Sequence, residues 1–438
     1  MRNILLCIFL VASLLPLYAG EEETPAYGVK IERLVLPHHY PYLNGKIDYD
    51  ILIRNTGSQT IRNLYVHTEI SNGCTFDRNV ALSNALLPGK TAYATVRYVP
   101  NPEPGVYLLT SRIDRVNDNI IDTPAVEQRI VAAYDDGYEL NALVEVSTST
   151  SEGKSPAEKV LLGRIKKYRP NWVRVAVHRD DPMADASFDD FAEKLTDKVP
   201  GVSINRNVVS GDIEEVISDL DSLQTVFSSY PSYAYLALDA VPDTDREFVR
   251  VNASVQFSYP TDFEHRLAFA VVEDGVGPYD QTNSYAGGAQ GKMGGWENNP
   301  GVVHTSHNDV GRYITGFDGI EGSLPEYIQP GRVYEYSVTL PVGNVSHDMC
   351  RIVGMIINSW NGEVVNASQI QMSRSGVDSV TDDALPIRVN VLNGSIEVSG
   401  ADTFEVYSPA GNRVAATGLS TGIYIVRVNG ETYRVIVR

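Results

Sequence analysis

Apolar and polar residues alternate with a period of two along KIDYDILIRNTG, NLYVHTEI, TAYATVRYV and VYLLTSRID, and the turn-forming stretches Asn55 to Gly57, Pro88-Gly89 and Pro104-Gly105 divide these runs. A period of two places every second side chain on one face of a strand, so residues 21–134 predict two packed antiparallel sheets, an immunoglobulin-like β-sandwich. The period lengthens beyond Tyr138. Leu140 to Val146 predicts an apolar strand, Pro156 to Tyr168 a helix, and Trp172 to Val177 another strand. Phe188 to Val199 predicts a helix with Phe188, Phe191, Ala192, Leu195 and Val199 along one side. A strand at Val202 to Ile204, a helix from Ile213 to Phe227 and a strand from Tyr233 to Leu238 complete an α/β domain at 135–243. Strand-like runs return over 244–372 and predict a second β-sandwich, in which GGAQGKMGGWENNPGVVHTSHNDVGR reads as a glycine-rich loop between strands. SRSGVDSVTDD has no apolar period and reads as a linker at 373–384. Three short alternating runs, Phe404 to Tyr407, Ile423 to Val428 and Tyr433 to Val437, then predict a small C-terminal β-sandwich at 385–438. The expected fold class is multidomain α+β.

Composition narrows the partners. Met1 to Ala19 carries Arg2, an apolar core from Ile4 to Leu17 and small residues ahead of Glu21 to Glu23, the pattern of a secretory signal peptide at 1–19. That run is shorter than the ~20 residues a spanning helix needs, and no later segment reaches such a length without charges, so no transmembrane segment is expected. Beyond the signal only Cys74 and Cys350 remain, which excludes a disulfide framework and leaves hydrophobic cores to hold the domains. A formal charge of -19 argues against nucleic acid and anionic membrane as partners, since neither offers counter-charge to an acidic surface.

The spacing of Tyr407, Pro409, Gly411, Gly422, Ile423, Tyr424 and Val428, with the basic Arg434 and Arg438, resembles the C-terminal sorting domain of type IX secretion cargo, found in the Bacteroidetes phylum. The resemblance implies recognition by the type IX secretion machinery. It also implies export through the inner membrane, then a place at the outer membrane or cell surface, or release. In mid-chain, ALVEVSTSTSEGKSPAEKVLLGRIKKY, VRVAVHRDDPM and VPGVSINR are similar to the thioredoxin-like domain of the Omp-twenty-eight-related outer membrane protein family. LAFAVVEDGVGPYDQ, HNDVGRYITG and MIINSWNGEVVNASQI are similar to that family's C-terminal β domain, so the resemblance runs from about Leu140 to Ile370. It implies a thioredoxin-like α/β domain at 135–243.

A thioredoxin fold carries Cys-x-x-Cys where its first helix begins, because the helix N-terminus stabilises a thiolate. Placing Pro156 on the family's Cys-Pro puts Glu152-Gly153-Lys154-Ser155 at that position, and a one-residue shift puts Ser151 to Lys154 there. Neither contains sulfur, so thiol exchange is excluded on chemistry. The resemblance also makes Pro200 the candidate for a cis proline that exposes backbone for gripping an extended peptide. Ser155-Pro156-Ala157-Glu158 predicts a capping box, the structural alternative to Ser155 as a nucleophile helped by Lys154 or His178. His178, Asp180 and Asp181 follow a strand end, where sites gather in α/β sheets, but read first as a polar loop and helix-capping acids. His38 and His39 read as solvated loop residues.

The glycine-rich stretch supplies the remaining candidates: Trp296 as a stacking face, with His304, His307, Asp309 and Arg312 around it. A metal reading would join His304 to His307 and take oxygen from Asp309 or from Glu273-Asp274, but two loop histidines lack a diagnostic spacing. Glu273 and Asp274, adjacent on a strand, would face opposite ways and make a poor glycosidase pair. The function expected is therefore an exported, non-enzymatic surface binding protein, with no cofactor or metal, contacting a peptide, protein or glycan. A hydrolytic enzyme, metal-assisted or not, centred on His304 to Arg312 is the alternative.

Overall fold

The computed structural model describes residues 24–36, 39–42, 45–100, 103–228, 231–243, 247–343, 345–372, 388–392, 395–399, 403–408, 413–420, 422–428 and 431–437. The signal peptide, the linker at 373–384, His38, Pro409, Gly411 and Arg438 lie outside the described residues. The chain divides into two compact units, the first ending at Val131.

The first unit contains β1 (Val29–Val35), β2 (Lys46–Asn55), β3 (Ile61–Ile70), β4 (Cys74–Leu86), β5 (Thr91–Pro100) and most of β6 (Gly105–Val116) and β7 (Asn119–Ala133), whose ends at 105–107 and 132–133 belong to the second unit. They form two sheets in the orders β1-β2-β5 and β4-β3-β6-β7. Along β2 the alternation is realised: Ile47, Tyr49, Ile51 and Ile53 are buried, and the residues between them are partly exposed. A buried hydroxyl needs a partner, and that of Tyr49 on β2 finds Thr68 Oγ1 at 2.7 Å on β3 and Ser111 Oγ at 3.0 Å on β6, joining the two sheets. Asn55 closes its turn by accepting from the Gly57 N–H at 2.9 Å and donating to the Gln59 and Leu86 carbonyls.

The second unit begins with β8 (Leu143–Thr148), α1 (Pro156–Tyr168), β9 (Val173–His178), α2 (Asp189–Lys194), β10 (Gly201–Ile204), β11 (Val208–Ser210) and α3 (Ile213–Ser228). Then come β12 (Ala234–Pro242), β13 (Phe248–Phe257), β14 (His265–Glu273), β15 (Val276–Thr282), β16 (Val302–His307), β17 (Val310–Ile314), β18 (Val333–Pro341), β19 (Cys350–Asn358) and β20 (Val364–Gln371). Eight strands share one sheet in the order β11-β10-β8-β9-β17-β14-β19-β20. β8 and β9 run parallel, β10 runs antiparallel to β8, and β17 meets β9 through the parallel pair Val310 and Ala176. The segments 135–243 and 244–372 therefore contribute to one continuous sheet rather than closing separately. Without β17, β9 would present an unpaired edge.

All six residues of both β8 and β9 are buried, as central strands covered on both faces require. Val144, Val146 and Ala176 pack with Leu161, Leu162 and Ile165 of α1 and with Ile213, Val216, Ile217 and Leu220 of α3. The α3 residues recur at the i, i+3, i+4, i+7 spacing of a helical face. Leu143, Val173, Val175 and Val177 face the other way, onto Phe188, Phe191, Ala268, Ala270 and Met355.

Three expectations change. The strand read at 233–238 becomes β12, which pairs with β13 in a separate sheet, β12-β13-β18, because its alternating burial suits a strand covered on one face. That sheet packs on β19 so closely that a Cβ on Gly354 would stand 2.9 Å from Leu238. The helix read to Val199 ends with α2 at Lys194, and Thr196 then accepts the Lys198 N–H through Oγ1 at 3.1 Å, a local side-chain turn that competes with helix. The capping box at α1 does not form: Ser155 lies at φ -58°, ψ -23°, and its Oγ accepts from the Ser149 N–H at 3.1 Å.

At the C-terminus β21 (Arg388–Leu392) pairs with β22 (Ser395–Ser399). β23 (Glu405–Tyr407), β24 (Arg413–Val414), β25 (Gly422–Val428) and β26 (Glu431–Val437) form a second sheet in the order β24-β23-β25-β26. Ile396, Val406, Tyr424, Val426, Val428 and Val435 are its core. Among the described residues no helix is long and apolar enough to cross a membrane.

Candidate functional site

β8 ends at Thr148, and the chain reaches α1 through a loop that a neighbouring segment covers. Thr282 N–H donates to the Thr150 carbonyl and Ser284 N–H to that of Gly153, both at 2.8 Å. The Gln281 carboxamide lies 3.3 Å from the Ser149 carbonyl and 3.2 Å from that of Glu152. A Cβ on Gly153 would stand 1.9 Å from Ser284 Oγ, so the approach requires glycine. The neighbouring Val199–Pro200 bond is cis, and Pro200 is buried.

His178, at the end of β9, hydrogen-bonds through Nδ1 to Asp181 Oδ2 at 2.7 Å. The same carboxylate accepts the N–H groups of Thr150 at 2.9 Å and Met183 at 2.8 Å. Burial opposes ionisation of Asp181, but the His178 contact and these two N–H groups outweigh it and hold the carboxyl below its usual range. His307, ending β16, lies against His178 with ring centroids 5.4 Å apart and ring planes at 81°. Burial first, then the charges of Lys159 and His178, lower the His307 imidazole to about 3. From the first turn of α1, Lys159 Nζ reaches the Ser306 carbonyl at 2.7 Å. Burial pushes the adjoining Glu158 carboxyl well above its usual range.

The other candidates are dispersed. The stretch expected to be one loop contains β16 and β17, so His304 and His307 share a strand. His304 is exposed and pairs with Asp280 on β15 at 2.8 Å, whereas His307 is buried. Asp309 instead joins a buried network, lying 2.5 Å from Arg351 and 3.3 Å from Arg174, with Arg351 also 3.1 Å from Asp274. Arg312 contacts Glu273 at 3.4 Å. No three of His304, His307, Asp309 and Arg312 converge on a common point, and among the described residues no cluster of three or more His, Cys, Asp or Glu forms a metal site. His39, read as solvated, is half-buried, with Nε2 2.6 Å from the Tyr134 carbonyl.

Trp296 stands elsewhere, at the rim of an open trough of about 1320 Å³ between α1, α3 and the glycine-rich loop. Glu297 pins this loop by accepting the N–H groups of Met293 at 2.9 Å and Gly295 at 3.0 Å, and Asn283 donates to the Trp296 carbonyl at 2.9 Å. Gly294, at φ +57°, lets the loop approach Val160 of α1. Trp296 packs partly against the core, and Lys159, Arg164, Lys167, Arg169 and Lys292 line the trough with Glu214 and Asp221. Glu214 is already engaged by Lys154 at 3.1 Å and by the Tyr285 hydroxyl at 2.8 Å. Sequence reasoning found Trp296 but not this basic lining, although RIKKYR at 164–169 carried the signal.

These features define a β-rich, multidomain protein. No family model and no curated protein matches the chain. Among solved structures it is similar to HBP35 of Porphyromonas gingivalis at 16% identity, covering 69% of this chain and 99% of that one with a TM-score of 0.42. It is also similar to a CARDB domain from Pyrococcus furiosus at 14% identity, covering 25% of this chain and 96% of that one with a TM-score of 0.20. The exo-chitosanase CsxA of Amycolatopsis orientalis matches at 10% identity over 74% of this chain and 25% of that one, with a TM-score of 0.16. None of these likenesses assigns an activity to the chain.

Proposed function

We propose that this chain is an exported, non-enzymatic surface binding protein whose contact surface is the Trp296 trough, and that the trough takes an acidic glycan. One observation carries the reading: a chain of formal charge -19 gathers five Lys and Arg residues against two carboxylates around one indole. An indole face suits a sugar ring, and clustered cations suit uronate or sulfate groups. The scaffold is read as thioredoxin-like, supported by the strand order β11-β10-β8-β9, the parallel β8 and β9, and helices α1 and α3 on one face. It is read as redox-inactive because the start of α1 offers no sulfur, and because burial, with Glu273 nearby, pushes the distant Cys350 thiol up to about 12. The C-terminal strands are read as a type IX sorting module. Tyr424 sits in their core, and Tyr407 and the start of β25 at Gly422-Ile423 lie on paired strands.

The test titrates the mature chain with polygalacturonate and with neutral dextran at about 50 and 300 mM salt, conditions that differ in screening length. Binding to the polyuronate alone, weakened by salt and at least tenfold by Trp296→Ala or by Lys167→Glu with Arg169→Glu, is expected. Equal binding of dextran, or indifference to both variants, overturns the proposal. Deleting Asp383 to Arg438 is expected to strand the protein in the periplasm, and surface display of the truncated chain would refute the sorting role.

A further inference from the structure

His178 and His307 come from different strands and meet at a buried contact, 4% and 1% exposed. A buried imidazole ordinarily commits its ring nitrogens to hydrogen bonds, because a desolvated polar atom without a partner is costly. Here His178 Nε2 and both ring nitrogens of His307 have no hydrogen-bond partner among the described residues. Each neutral ring offers one lone-pair nitrogen, so His178 Nε2 and one nitrogen of His307 are open to a ligand that takes nitrogen lone pairs.

We infer that His178 and His307 together bind a divalent transition-metal ion, with Asp181 as the residue that orients His178. With Asp181 accepting the Nδ1 proton, the neutral His178 ring carries its free lone pair on Nε2, the tautomer a metal requires. Asp181 itself is fully engaged by His178 and by the Thr150 and Met183 N–H groups, so it positions and does not ligate. Two imidazoles sharing one ion tetrahedrally at ~2.1 Å place their ring centres roughly 5 Å apart. The observed separation is 5.4 Å, with the ring planes at 81°.

Nitrogen donors without sulfur select zinc, copper or nickel over magnesium or calcium. Two protein ligands leave the remaining positions to solvent or to a ligand group. Lys159 faces His307 and opposes a cation, while the Asp181 carboxylate faces the same ring and favours one. The two histidines lie outside the Trp296 trough, although Lys159 borders both places, and the second histidine comes from β9 rather than from the exposed His304.

The experiment uses the full mature chain, stripped with chelator and titrated at neutral pH with Zn2+ by calorimetry and with Co2+ by visible absorption. One ion per chain is expected, with a rise in melting temperature on adding Zn2+. His178→Asn and His307→Asn should each lower affinity about 100-fold or more, and Asp181→Asn by 10- to 100-fold, the range for a ligand-orienting partner. His304→Asn should leave binding unchanged. Should the histidine variants fail to fold, ring NMR of the wild-type chain reads the same contact: Zn2+ shifts the His178 and His307 signals and spares His304. Absence of saturable binding, dependence on His304, or unmoved His178 and His307 signals overturns the inference.

Discussion

Replacing Arg206 by methionine removes a guanidinium whose partners are all inside the fold. Its Nη2 and Nε lie 2.8 and 3.0 Å from the two carboxylate oxygens of Glu145, and the paired side chains are only 1% and 2% exposed. The same group stands 3.9 Å over the Phe317 ring and donates through Nη1 to the Phe317 carbonyl. Methionine keeps much of the length but leaves the Glu145 carboxylate buried and alone, a change that costs about 3–5 kcal/mol for buried pairs of this kind. Adding Glu145→Leu removes the orphaned charge as well, and most of the loss should return. Urea unfolding followed by tryptophan fluorescence reports the relevant unit, because Trp172, Trp296 and Trp360 all belong to it. At a slope of about 3 kcal/mol per molar urea, the midpoint should fall by roughly 1–2 M for the single variant and by less than half as much for the double. A single variant shifted by less than about 0.3 M, or a double variant falling as far as the single, would refute the reasoning.

Burial lowers the His265 imidazole to about 4, with Nε2 2.9 Å from the Tyr233 hydroxyl and Glu264 as the neighbouring charge. Above pH ~6.5 neither state binds this proton; as pH falls from there to about 4 only the unfolded chain takes it up, so stability should decline by up to about 3 kcal/mol and then level. Urea titrations at several pH values should show a shallower decline for His265→Gln, and parallel curves would contradict the assignment. Gly153→Ala should destabilise the second unit by about 1–3 kcal/mol through its clash with Ser284, with partial recovery on adding Ser284→Ala. An unchanged midpoint for Gly153→Ala would mean that the 281–284 segment yields freely. Tyr49→Phe takes a shared partner from Thr68 and Ser111 and should cost the first unit about 1–3 kcal/mol, read as a lowered calorimetric transition. No change in that transition would show the hydroxyl bridge to be dispensable.

Local pattern was legible wherever burial imposes it. The period of two along β2 follows from one covered face, and the apolar runs of β8 and β9 follow from two. The bounds of α1 were readable from Pro156 at its start, although Ser155 turns its hydroxyl to another partner. Long-range pairing was not readable. Nothing near Ala176 announces Val310, and the strand at 234–242 carries no mark of its partner β13. VVHTSH does alternate, but the surrounding glycines and polar residues disguised β16 as loop. The His178 to His307 contact depends on that strand together with the long-range sheet. The trough's charge was visible in RIKKYR, and its meaning needed α3 and the Trp296 loop to be placed beside it.

The segment at 281–284 behaves as a tethered competitor for the loop at 149–153. A visiting chain would have to displace the Thr282 and Ser284 hydrogen bonds and the Gln281 amide, held at an effective concentration that no free peptide matches. With that berth taken in cis, a substitution in the loop is felt first through its fit against the lid, as the close approach of Gly153 to Ser284 illustrates.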